Sequence, residues 1–127
     1  MYDEKLMLQE VSEWLDAVLV NAVPNEVVAF GFNVYDDGDN DWSMELVGTS
    51  EFDVDDEDWL CNEVTDFNTR ENPFQWSKEA EWEEVLEDIV HVLKEYLKSG
   101  QYANALKEKS GVGVGFVDGD IELLYVR

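Results

Sequence analysis

From Leu6 to Ala22 the apolar residues Met7, Val11, Trp14, Leu15, Val18 and Ala22 recur at three- and four-residue steps, with Glu10, Glu13 and Asp16 between them. This spacing predicts an amphipathic helix over 6–22. It stops before Pro24, because proline lacks an amide hydrogen and restricts the residue ahead of it. The period then changes to two. Val28, Phe30, Phe32 and Val34 alternate with smaller or polar residues, and Trp42, Met44 and Leu46 alternate with Ser43 and Glu45. Two half-buried antiparallel strands are predicted, joined by an Asp-Asp-Gly-Asp-Asn-Asp turn in which Gly and Asn tolerate positive φ. Phe52 and Val54 open a third strand. The stretch 53–74 mixes charge with Trp59, Leu60, Val64 and Phe67 in no sustained period and reads as strand followed by irregular chain or short helix.

The next helix is predicted to start at Ser77 as N-cap and to run to Ser99, with Gly100 as terminator. Trp82, Val85, Leu86, Ile89, Val90, Leu93, Tyr96 and Leu97 form its stripe, so Trp82, like Trp14, is expected in the core. Glutamates crowd its first turns, and Lys94 and Lys98 its last, in accord with the helix dipole. A short helix over 102–109 follows, presenting Tyr102, Ala105 and Leu106 to the core. The end of the chain reads as a hairpin turning at Asp118-Gly119, which pairs Phe116 with Ile121, Val114 with Leu123 and Val112 with Tyr125. Gly111, Gly113 and Gly115 share the opposite face, where they invite close approach by another element. The expectation is one α+β domain spanning 1–127, an antiparallel sheet with helices packed on one face.

A chain of 127 residues, 45% apolar and 13% aromatic, has the material for one core. The charge changes the picture. Net charge is −23, and between Lys5 and Arg70 there are 17 aspartates and glutamates and no lysine or arginine. Two runs are densest: Asp36, Asp37, Asp39 and Asp41, then Asp53, Asp55, Asp56, Glu57 and Asp58. Such a field repels nucleic acid and anionic membranes and attracts cationic proteins. Trp42 and Trp59, each beside one run, are candidate anchors ringed by carboxylates, against the alternative that they cover the edge of the core. One cysteine, Cys61, excludes an internal disulfide framework and fits a small buried group in a reducing cytoplasm. The acidic N-terminus differs from a secretory signal, and no apolar run is long enough to cross a bilayer.

Catalytic and cofactor chemistry finds little support. Gly-Val-Gly-Val-Gly-Phe lacks the last glycine of the dinucleotide fingerprint and leads into a hairpin instead of a helix. Asp37, Asp39 and Asp41 have calcium-loop spacing, but the sixth position is Trp42 and the twelfth Gly48, where an EF-hand needs glycine and glutamate. His91, the only histidine, falls on the polar side of its helix, level with Glu84, Glu87, Lys94 and Glu95. No cofactor, metal site or catalytic set is expected.

A small, acidic, aromatic-rich α+β chain ending in Gly-Val-Gly-Val-Gly-Phe-Val-Asp-Gly-Asp-Ile-Glu-Leu-Leu-Tyr resembles the immunity proteins of bacterial polymorphic-toxin and contact-dependent inhibition systems. The resemblance covers the general build and the segment 95–125. It implies a non-enzymatic cytoplasmic protein that neutralises a cognate toxin. A basic nuclease toxin suits the charge, since its phosphate-binding groove would accept carboxylates in place of phosphates. The two acidic runs with Trp42 and Trp59 are the expected interface. The alternatives are an acidic cation-binding or general interaction domain and, beyond that, a carboxylate hydrolase.

Overall fold

A computed structural model describes residues 4–20, 23–117 and 119–127, apart from the side chains of Glu57, Cys61, Thr65 and Asp66. Helix α1 (Glu4–Leu19) buries Met7, Val11, Leu15 and Leu19, one residue per turn. Leu8, Trp14 and Val18 pack at its margins. The helix begins earlier than its apolar period suggests and is complete by Leu19; Val20 is exposed, and Ala22 lies outside the described residues.

Strands β1 (Ala29–Gly38) and β2 (Asp41–Thr49) form the predicted hairpin, with Phe32 opposite Leu46 and Val34 opposite Met44. The third strand, however, is not at Phe52 and Val54. That stretch is a loop leading into a short 3₁₀ helix (Glu57–Cys61), and β3 (Glu63–Asn68) follows it. Strand β4 (Phe74–Ser77) has only four residues, too few to display a period, and pairs with the start of β2, Trp76 opposite Trp42. Ser77 therefore ends a strand and does not cap a helix.

Helix α2 (Trp82–Ser99) starts four residues later than predicted, at a Glu81 cap that makes no side-chain hydrogen bond. A missing cap costs only about 1 kcal/mol. The seven buried residues of α2, from Val85 to Leu97, outweigh it at about 1.5–3 kcal/mol for each fully buried side chain. Helix α3 (Ala103–Lys107) buries Ala103 and Leu106.

Strands β5 (Gly111–Phe116) and β6 (Glu122–Val126) complete the sheet, in the order β3-β2-β1-β5-β6 with β4 beside β2. The sheet is mixed and not purely antiparallel, because β5 runs parallel to β1, Phe32 beside Val114. The long connection through α2 and α3 returns the chain to the end where β1 began, as a parallel neighbour requires. Val112 faces Tyr125 as expected, but a bulge shifts the register so that Val114 faces Glu122. Strand β5 ends at Phe116 and β6 begins at Glu122, so the connection is longer than the predicted two-residue turn; within it the Gly119 amide donates to the Phe116 carbonyl at 2.9 Å, and Asp118 lies outside the described residues.

The two faces of the sheet are covered differently. Phe30, Phe32, Val34, Met44, Leu46, Val112 and Val114 meet α1 and α2 in the main core. On the other face, Leu60 lies over Gly31, Trp59 and Ile121 over Gly113, and Phe52 over Gly111. The glycine stripe thus admits the 52–60 loop, the close approach that the sequence predicts.

Candidate functional site

The first acidic run sits at the tip of the β1–β2 hairpin. Asp39 and Asn40 have φ of 54° and 65°, the left-handed conformation that two-residue hairpin turns need to follow the twist of their strands. Asp36 steadies this turn by accepting the Gly38 amide at 3.0 Å, and Asp41 accepts the Ser77 hydroxyl. Asp36, Asp37, Asp39 and Asp41 are all exposed. Trp42 is not. It is 4% exposed, its indole N–H donates to the Lys78 carbonyl at 3.0 Å, and its ring meets Phe116 edge to face. Alternation along β2 turns it into the core, so it offers a partner no anchor.

The second run lies in the loop over the glycine face. Asp53 accepts the Asp55 amide at 2.9 Å, and Asp56, the cap of the 3₁₀ helix, accepts the Asp58 amide at 3.0 Å. Aspartate does this readily because its short side chain reaches the amide two residues on. Asp53, Asp55, Asp56 and Asp58 remain exposed, while the Glu57 side chain lies outside the description. Trp59 is 3% exposed and packs edge to face on Phe52 at 4.9 Å. It too is core, packed with Ile121 over Gly113. The two runs occupy separate places in the fold, one at the hairpin tip and one on the sheet face opposite the helices.

An aromatic residue assigned to the core by spacing is the exposed one. Trp82 is 52% exposed, since α2 begins at this residue and its buried stripe begins one turn later. Its ring stands edge to face on Phe116 at 5.8 Å, so Phe116 joins Trp42 on the inside to Trp82 on the outside. Beside Trp82 lies a hollow of about 730 Å³ bordered by Leu86, Asp120, Glu122 and Leu123. A second, of about 350 Å³, is bordered by Asn33, Asp58, Glu63 and Val117. Both are lined by Phe116, Gly119 and Ile121, so the two hollows adjoin one loop, and together they make up its cleft. Its charged borders, Asp58, Glu63, Asp120 and Glu122, are all acidic.

One carboxylate is held differently. Glu45 points to the face away from the helices, is 2% exposed, and accepts the Tyr35 hydroxyl and, at 2.9 Å, the Arg70 Nε–H. Arg70 also bonds Glu63, and this bond chiefly, with the Glu45 charge next, raises the guanidinium pKa. Burial first, then the bond to Glu45, pushes the Tyr35 hydroxyl up to about 12. The group joins β1, β2 and β3.

His91 is exposed and makes a 3.0 Å contact with Glu4 across α1 and α2. Among the described residues no three His, Cys, Asp or Glu side chains are grouped to hold a metal ion, and no helix is long and apolar enough to cross a membrane. Comparison of this chain with protein-family models, curated proteins and solved structures gives no match.

Proposed function

We propose that this protein is a non-enzymatic binder of a basic protein, acting as an immunity-type inhibitor of a cationic toxin such as a nuclease in the cytoplasm. One observation carries the reading. Among the described side chains, no acid of either run forms an ion pair, while Arg70, Lys78, His91 and Lys98 all pair with acids elsewhere. The carboxylates that are bonded mostly accept the chain's own amides, which fixes their direction without cancelling their charge. A fixed, uncompensated negative surface speeds encounter with a cationic partner and can occupy a phosphate-binding groove. The α+β build and the glycine-rich terminal hairpin, which resemble those of immunity proteins, support the same class.

The test is capture of partners from the host by the full chain, followed by assay of any captured basic domain as a toxin with and without it. The expected result is one such domain, neutralised by this protein. The triple change Asp55→Lys, Asp56→Lys and Asp58→Lys is expected to weaken the complex, most at low salt. A complex of unchanged affinity would remove the second run from the interface, and a captured partner that is not basic would refute the reading.

A further inference from the structure

The cleft around the β5–β6 loop combines three features found nowhere together in either acidic run: an exposed aromatic ring, concave space beside it, and acids on its borders. Isolated exposed apolar residues are ordinary. Here, Trp82 and Val117 are 52% and 49% exposed on the two sides of the same loop. Asp58, Asp120 and Glu122 are exposed, and no described side chain pairs with their carboxylates. An aromatic anchor with a polar rim is the usual form of a binding hot spot.

We propose that this cleft is the docking site for an arginine-bearing segment of the basic partner, a reading that rests on the function proposed above. Trp82 receives a guanidinium and its stem on the exposed part of the indole, where cation–π attraction and apolar contact act together. Asp120 and Glu122 pair with cations on one side of the loop, and Asp58 on the other. Charge selects this occupant. A second copy of the chain would bring another −23 against the same acids, and nucleic acid or an anionic lipid surface would be repelled likewise. The acidic runs then supply long-range attraction, and the cleft supplies the desolvated contact that sets residence time.

The probe is a fluorescein-labelled peptide of alternating arginine and leucine, with a glutamate-leucine peptide as control, titrated with the full chain at about 150 mM salt to screen distant charges. Trp82→Ala and the pair Asp120→Asn, Glu122→Gln are each expected to weaken binding at least about tenfold, as loss of a hot spot does. The pair Asp37→Asn, Asp39→Asn at the hairpin tip is expected to change it less than about twofold. A readout on the unmutated fold accompanies this. With 5-fluorotryptophan incorporated, the ¹⁹F resonance absent from Trp82→Phe shifts on peptide addition and stays fixed when protein concentration alone is raised.

Equal weakening by the acidic variants with no effect of Trp82→Ala would overturn the cleft as the site and leave the basic-partner reading standing. Absence of binding by the arginine-leucine peptide would overturn both. A Trp82 resonance that moves with protein concentration alone would show that the occupant is a second copy.

Discussion

The carbonyl oxygen of Asp120 lies 2.5 Å from the position that a Cβ on Gly115 would occupy, so the loop after β5 folds back onto the strand at a point that only glycine permits. The obstacle is backbone, and Ile121 Cα is also close at 3.3 Å, so no change of rotamer relieves it. Gly115→Ala is expected to destabilise the protein by about 1–3 kcal/mol, the usual cost of overpacking. It should also move the loop that divides the cleft. Urea unfolding measures the first effect. A variant as stable as the parent would mean that the loop shifts without cost.

The glycine stripe shows how far the sequence could be read. Alternation of Gly111, Gly113 and Gly115 with Val112, Val114 and Phe116 marks a face needing close approach. Which chain segment fills it was illegible, because Phe52, Trp59 and Leu60 follow no period and act from a loop and a single short 3₁₀ helix. The alternation in β1 and β2 gave their pairing. The parallel contact of β1 with β5 is non-local and has no local signature. In the candidate site, the exposure of the described acids of both runs follows from turn chemistry, but the burial of the tryptophans does not follow from spacing. Trp82 fits the stripe of α2 by spacing, yet it opens the helix, one turn before that stripe is covered. Trp42 and Trp59 adjoin charge in sequence and point away from it in space.

Arg70 holds the buried Glu45 carboxylate, whose side chain is 3% exposed, while remaining 54% exposed itself. Arg70→Ala would leave Glu45 accepting from the Tyr35 hydroxyl without its charged partner. The expected loss is about 1–3 kcal/mol, the cost of an undersatisfied buried acceptor. Adding Glu45→Met should recover part of it, since removing both partners of a buried pair costs less than removing one. Denaturant midpoints of the single and double variants decide the point. If Arg70→Ala alone lies within about 0.5 kcal/mol of the parent, an ordinary surface effect, Arg70 does not hold Glu45 in place.

Alkaline pH should weaken the fold through Tyr35. Its hydroxyl is raised to about 12 in the folded chain, by burial and by donation to Glu45, against about 10 for an unperturbed phenol. Between these values the unfolded chain releases the proton and the folded chain keeps it. The folded state then binds more protons, and stability falls as pH rises through that window. Tyr96, buried and donating to Asp16 at 2.7 Å, is raised in the same direction. Tyr35→Phe should therefore flatten the decline without abolishing it. Unfolding free energies measured from pH 9 to 12 test this, and an equally steep decline in the variant would show that Tyr35 is not its source.

Trp42 and Trp82 both pack edge to face with the Phe116 ring, and their burial, 4% against 52% exposed, separates a residue needed for folding from one available for binding. Trp42→Ala removes a 4% exposed indole from the core together with its hydrogen bond to the Lys78 carbonyl, and should cost about 3–5 kcal/mol. Trp82→Ala removes a ring that is half in solvent at the first turn of α2 and should cost about 1 kcal/mol or less, closer to a surface change. Thermal unfolding ranks the two. The order matters for interpreting any binding study, because affinity lost in Trp42→Ala follows from damage to the fold, whereas affinity lost in a well-folded Trp82→Ala belongs to the surface. If Trp82→Ala proves as destabilising as Trp42→Ala, the three rings act as one core unit, and the exposed indole cannot be assigned to recognition by affinity measurements on that variant.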